Sequence, residues 1–220
     1  MPKINILILE NDNLELNNII NTLNKNSYIV HRCASNSHFL DLIYEHLYDL
    51  YLISLNDSFS KEFELMELLN EYEDLTMKMV IASIPKMIKP SFFYGCDECV
   101  IKNVDEKEIL FRIKALIRRQ YNIYKDEINI RKNIKYNIFE KNLYINNEII
   151  IIGEKPLLIL DYLLKFKNSY VSLESLEKGV YPANCDSKNG VIRFHIYKLR
   201  QILGEDIIVS NRTNGYKIEC

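Results

Sequence analysis

The chain has 220 residues, with 28 Lys+Arg against 30 Asp+Glu, 4 His, 5 Cys and no Trp. An apolar fraction of 48% with 26% charged residues excludes a disordered chain, and no apolar run approaches the roughly 18 residues of a membrane span. The net charge of −2 hides a division: residues 1–124 hold 13 Lys+Arg against 18 Asp+Glu (−5), and residues 125–220 hold 15 against 12 (+3). An acidic half joined to a basic half points to two domains, one of which meets a polyanion. The apolar run Ile4–Leu9 is too short for a signal-peptide core and is ended by Glu10, so a cytoplasmic protein with free thiols is expected.

Ile4–Leu9 reads as a strand buried on both faces. A helix follows over Leu14–Leu23, then a strand over Tyr28–Arg32 and a helix over His38–Leu47. Leu50–Leu55 (LYLISL) is a third strand, with a helix around Glu62–Asn70; Met77–Ser83 is a fourth and Cys99–Lys102 a short fifth. Lys86–Tyr94 has room only for a short helix, limited further by Pro90. Glu106–Arg119 closes this half with Ile109, Ile113, Leu116 and Ile117 on one face. Five strands with intervening helices make a doubly wound parallel α/β sheet.

A polar stretch at Gln120–Ile128 separates the halves; the expected division is a domain over 1–121, a linker over 122–127 and a second domain over 128–220. Lys135–Ile152 reads as hairpin strands turning at Asn146-Asn147, followed by helices at Pro156–Phe166, Leu173–Val180 and Lys188–Leu203. A two-stranded end follows at Ile207–Ser210 and Gly215–Ile218. Three helices and a terminal hairpin, with cations on the third helix and hairpin, make a winged helix-turn-helix.

In order and spacing, YDLYLISL (Tyr48–Leu55), GCDECVIK (Gly95–Lys102), EILFRIKALIRR (Glu108–Arg119), FHIYKLRQIL (Phe194–Leu203) and RTNGYKI (Arg212–Ile218) resemble the OmpR/PhoB family of two-component response regulators, over nearly the whole chain. The resemblance implies a receiver in which acidic residues after the first strand hold Mg²⁺ and an Asp ending the third strand takes the phosphoryl group. It also implies a Ser/Thr and a Lys after the fourth and fifth strands that contact its oxygens. Here those positions read Glu10-Asn11, Ser54, Ser83 and Lys102. With Ser54 in place of the carboxylate and Asn11 in place of a metal ligand, Asp phosphorylation is not expected. Cys99 at the aromatic switch position and Asn103 at the usual proline depart as well. Lys102 is expected to pair with Glu10.

The resemblance further implies dimerisation through the face of the fourth helix, fifth strand and fifth helix, here Asp97, Glu98, Glu108, Leu110, Arg112 and Arg119. It places Phe194 and Lys198 at base-reading positions of the recognition helix, Tyr197 and Arg200 at the phosphate backbone and Arg212 in the minor groove beside Asn214. Lys188, Arg193 and Gln201 complete the outward face of that helix. Expected partners are promoter DNA with paired half-sites, a second copy of the chain and RNA polymerase, through Pro182–Ser187.

Of the cysteines, Cys185 and Cys220 are the more plausible redox thiols, and Cys96 and Cys99 form a C-x-x-C that enters a strand rather than opening a helix. His195 reads as a packing residue. No P-loop, G-x-G-x-x-G or His cluster supports an enzyme, a metal or a cofactor. A phosphorylation-independent regulator is the favoured reading; thiol-based redox sensing and chromosome or replication control are the alternatives.

Overall fold

The computed structural model describes residues 3–10, 16–56, 60–185 and 189–220. Backbone contacts divide the chain into two compact units, one of Ile4–Ile117 and another whose body is Arg118–Cys220. The division falls inside the last helix of the first half, four residues short of the expected receiver end at 121.

The first unit alternates β1 (Asn5–Leu9), α1 (Asn17–Lys25), β2 (Ile29–Cys33), α2 (Asn36–Glu45), β3 (Leu50–Leu55), α3 (Ser60–Glu71), β4 (Met77–Ala82), α4 (Ile88–Phe93), β5 (Glu98–Ile101) and α5 (Glu106–Gln120). All strands are parallel in the order β2-β1-β3-β4-β5. β1 and β3 are predominantly apolar because both faces of the sheet are covered by helices. Leu7, Leu9, Ile53, Leu55, Val80 and Ala82 pack against Phe39 of α2 and Phe63 and Met66 of α3. Alternation sends Ile6, Ile8 and Leu52 to the opposite face, and α5 buries Ile109, Ile113, Leu116 and Ile117. A 3₁₀ turn (Pro85–Met87) leads into α4, and the six-residue length of α4 agrees with the limit expected from Pro90.

In the second unit β6 (Glu127–Arg131), β7 (Ile134–Asn137), β8 (Asn142–Ile145) and β9 (Glu148–Ile150) form an antiparallel sheet. The hairpin reading missed β6, whose first residue lies in the expected linker. Asn146 and Asn147 turn β8 into β9 with φ of 53° and 65°, the left-handed pair a two-residue hairpin requires. Then come α6 (Glu154–Lys165), α7 (Leu173–Val180), capped by Ser172 Oγ accepting from the Ser175 amide, and α8 (Asn189–Leu203). β10 (Ile208–Asn211) and β11 (Gly215–Ile218) close the chain as an antiparallel pair. Asn11 and Lys188 lie outside the described residues.

Candidate nucleic-acid interface and receiver site

α8 buries Ile192, Ile196, Leu199 and Leu203, at most 5% exposed, against α6 and α7. Their spacing of 4, 3 and 4 turns Arg193, Phe194, Tyr197, Lys198 and Gln201 outward, all exposed. Phe194 and Tyr197 keep 52% and 59% of their surface, a large exposure for aromatic rings unless they meet a partner. Lys198 Nζ lies 4.5 Å from the Phe194 ring centroid, so the ammonium and the ring occupy one patch. Arg200 is half-buried and donates from Nε to the Ile208 carbonyl at 2.9 Å, tying α8 to β10. His195 is half-buried beside them; burial, then Lys198 and Lys155, lowers its pKa and keeps the ring neutral.

The hairpin tip is built by Asn211, whose Oδ1 accepts from the Thr213 amide, the Thr213 hydroxyl and the Asn214 amide at 2.8–3.1 Å. This side-chain turn leaves Arg212 and Asn214 exposed. The base of the hairpin is fixed by pairing of Val171 with Tyr216. Gly215 has φ +94°, and a Cβ there would lie 2.0 Å from the Val171 carbonyl oxygen. Only glycine permits that approach.

In the first unit Glu10, Ser54, Ser83 and Lys102 gather at the carboxyl ends of β1, β3, β4 and β5, where a sheet of this strand order binds its ligands. Backbone bonds set them there: Glu10 N donates to Cys33 O, Ser83 N to Leu55 O and Lys102 N to Ala82 O. Ser54 is 1% exposed, and its Oγ has no hydrogen-bond partner among the described residues. The expected Glu10–Lys102 pair is not formed. Arg32 on β2 donates from Nη2 to Glu10 Oε2 at 2.5 Å and from Nη1 to Asn17 Oδ1 at 3.0 Å. The Leu16 amide donates to Glu10 Oε1. Lys102 Nζ instead donates to Asn56 Oδ1 at 2.8 Å. The carboxylate is turned toward β2 and α1, where a guanidinium on the edge strand satisfies it.

Residues 147–218 match the family model for the C-terminal domain of transcriptional regulatory proteins. Along almost its full length the chain is similar to Response regulator RR06 of Streptococcus pneumoniae serotype 2, at 27% identity over 97% of this chain and 99% of the relative. It is also similar to the Heme response regulator HssR of Staphylococcus epidermidis, at 24% identity over 98% of each. The matched segment is the C-terminal domain of transcriptional regulatory proteins, and the chain as a whole is similar to response regulators. Among solved structures, the response regulator DrrB of Thermotoga maritima, described as an OmpR/PhoB homologue, aligns over 100% of both chains at 16% identity and a TM-score of 0.48.

Several of the residues expected at a dimer face are engaged within the chain. Asp97 Oδ2 accepts from the Lys78 amide, and Arg112 pairs with Glu98 at 3.3 Å and with Glu108 at 2.7 Å. Leu110, expected as an apolar contact between subunits, is only 8% exposed and packs into its own core, whereas Phe111 beside it is 66% exposed. Arg119 is exposed.

Cys96 is buried and its thiol is pushed up to about 12, chiefly by that burial; burial also raises Cys99. Both changes remove thiolate at neutral pH, against a redox role for the C-x-x-C. Cys220 is exposed as a residue, yet its surroundings raise the thiol, with Lys167 opposing. Cys185 is exposed.

Arg32, Asn56 and Asn211 were missed in sequence. Asn211 was findable, since N-x-T-N is an Asx-turn pattern. Arg32 meets Glu10 only because Ile8 and Arg32 are register partners on β1 and β2.

Proposed function

We propose that this response regulator binds DNA as a dimer without phosphorylation of its receiver. The observation carrying the reading is Ser54 at the end of β3, where the family's phosphoacceptor carboxylate stands, with the nearby carboxylate of Glu10 already neutralised by Arg32. Acyl phosphate formation needs a carboxylate nucleophile and a divalent cation beside it. A buried serine hydroxyl with no histidine base near it supplies neither.

Dimerisation would use the α4–β5–α5 face, with Arg112, Glu98 and Glu108 exchanging partners across subunits and Phe111 adding apolar area. The DNA reading assigns base contacts to Phe194 and Lys198, backbone contacts to Tyr197 and Arg200, and the minor groove to Arg212, with Arg193 and Gln201 on the same outward face. The domain reading keeps a receiver over 1–121, a linker over 122–127 and a DNA-binding domain over 128–220, in a cytoplasmic protein that meets RNA polymerase at its promoters.

Intact-mass analysis after incubation with acetyl phosphate and Mg²⁺ tests the reading. The expected spectrum is unchanged; a mass gain of one phosphoryl group, stable enough to be seen on this chain, would overturn it.

A further inference from the structure

The buried stripe of α8 is Ile192, Ile196, Leu199 and Leu203. At about 100° per residue, the direction opposite that stripe is taken by Phe194 near the start of the helix and Gln201 near its end. Val191 lies one turn before Phe194, and Lys198 one turn after it. Val191 keeps 43% of its surface, against 52% for Phe194. An isopropyl group and a phenyl ring therefore stand side by side on the face that carries the helix's cations. The flank of the ring is open as well: Gly190, four residues before Phe194, has no side chain, and a Cβ there would meet nothing within 4 Å among the described residues. Apolar groups gathered on an exposed face and rimmed by charge mark a contact surface.

The polar side chains of α8 are partly committed within the unit. Arg200 Nε donates to the Ile208 carbonyl at 2.9 Å, and Gln201 Nε2 to Glu205 Oε1 at 3.4 Å. The Lys198 ammonium lies 4.5 Å from the Phe194 ring centroid. The major-groove edges of the four base pairs differ in donors, acceptors and one apolar mark, the 5-methyl group of thymine. A phenyl ring or isopropyl group laid on any other edge takes donors and acceptors out of water without replacing their hydrogen bonds, which is unfavourable. Laid on thymine it covers a methyl group, which is favourable. The charge around the pair suits the same partner, since Arg193 and Lys198 are exposed on α8 and Arg212 at the hairpin tip.

We propose that Val191 and Phe194 read thymine 5-methyl groups in the major groove, so that the bound site carries a thymine at each of the two contacts. The proposal rests on the DNA reading above and deepens it: Val191 joins the base-reading residues, and Phe194 is given its base. Lys198, whose ammonium lies beside the ring, supplies the hydrogen bond to a neighbouring base edge that neither apolar group can make.

The test uses the full chain and the duplex that it selects from random sequence. Each thymine of the selected site is replaced in turn by deoxyuridine, which removes the methyl group and keeps the base pairing and the O4 acceptor. The native protein is expected to lose about fourfold in affinity at each of two thymines, and about 16-fold when both are replaced. Phe194→Ala is expected to lose the thymine–uracil difference at one of these positions and Val191→Ala at the other. Both variants should keep the native melting temperature, because neither side chain is buried. A chain that binds selected and random duplexes equally would overturn the DNA reading and this assignment together. A specific site that holds no thymine, or one whose deoxyuridine forms bind as tightly as the parent duplex, would overturn the methyl assignment alone. So would a thymine–uracil difference that either alanine variant leaves intact at every position, since that methyl group is then sensed elsewhere.

Discussion

A carboxylate taken out of water costs several kcal/mol unless a cation and donors go with it, and Glu10, 1% exposed, takes both from Arg32 and the Leu16 amide. The same carboxylate cannot be offered freely to a metal while Arg32 holds it. In the second unit two cations are turned to solvent. Lys198 shares a patch with Phe194 on the outward face of α8, and Arg212 is exposed at the hairpin tip. The two cations differ in what they can report. Replacing Arg212 with Ala is expected to weaken binding uniformly across DNA sequences and to reduce the salt slope by about one counterion, whereas Lys198→Ala also changes base preference, at about 1–3 kcal/mol. Salt-dependent titrations on selected and random DNA measure this; equal losses on both DNAs for both variants would refute the division. That the third strand ends near a serine, Ser54, was legible in the sequence. The Arg32 pairing was not, because it depends on a register between β1 and β2 that residue spacing does not encode.

Among the elements, the strands of the first unit were legible to within a residue or so because both-face burial makes the central ones predominantly apolar. β6 was not. Its sequence, EINIR, alternates between buried and exposed residues beside a polar stretch and reads equally as linker. The end of α5 was legible to within a residue, but the burial of Tyr121 just after it was not, because its hydroxyl partner Asp161 lies 40 residues away. The β10–β11 hairpin was legible as a two-stranded end over Ile207–Ser210 and Gly215–Ile218, but not the reason for the glycine. Gly215→Ala must accommodate φ +94° and a Cβ 2.0 Å from a carbonyl oxygen. It is expected to cost at least about 2 kcal/mol and to pull the hairpin from the Val171 strand. Thermal unfolding and DNA titration should fall together. An unchanged melting temperature would contradict the account of this turn.

For the molecule as a whole, the near-neutral net charge of −2 is the sum of an acidic receiver half and a basic DNA-binding half. No described helix is long and apolar enough to cross a membrane. The receiver fold has its parallel sheet and packed core, Ser54 ends β3, and Glu10 is paired with Arg32; under the proposed function this is a receiver that does not respond to phosphate. A receiver in that state is expected to present its dimer face without a signal, and the winged helix to bind DNA in the form in which the chain is made. The direct measurement is the affinity of the purified chain for its selected DNA, before and after incubation with acetyl phosphate and Mg²⁺. The account predicts the same Kd and the same dimeric mass in both samples. A rise in affinity of about tenfold or more on phosphodonor treatment, with a monomer becoming a dimer, would contradict it.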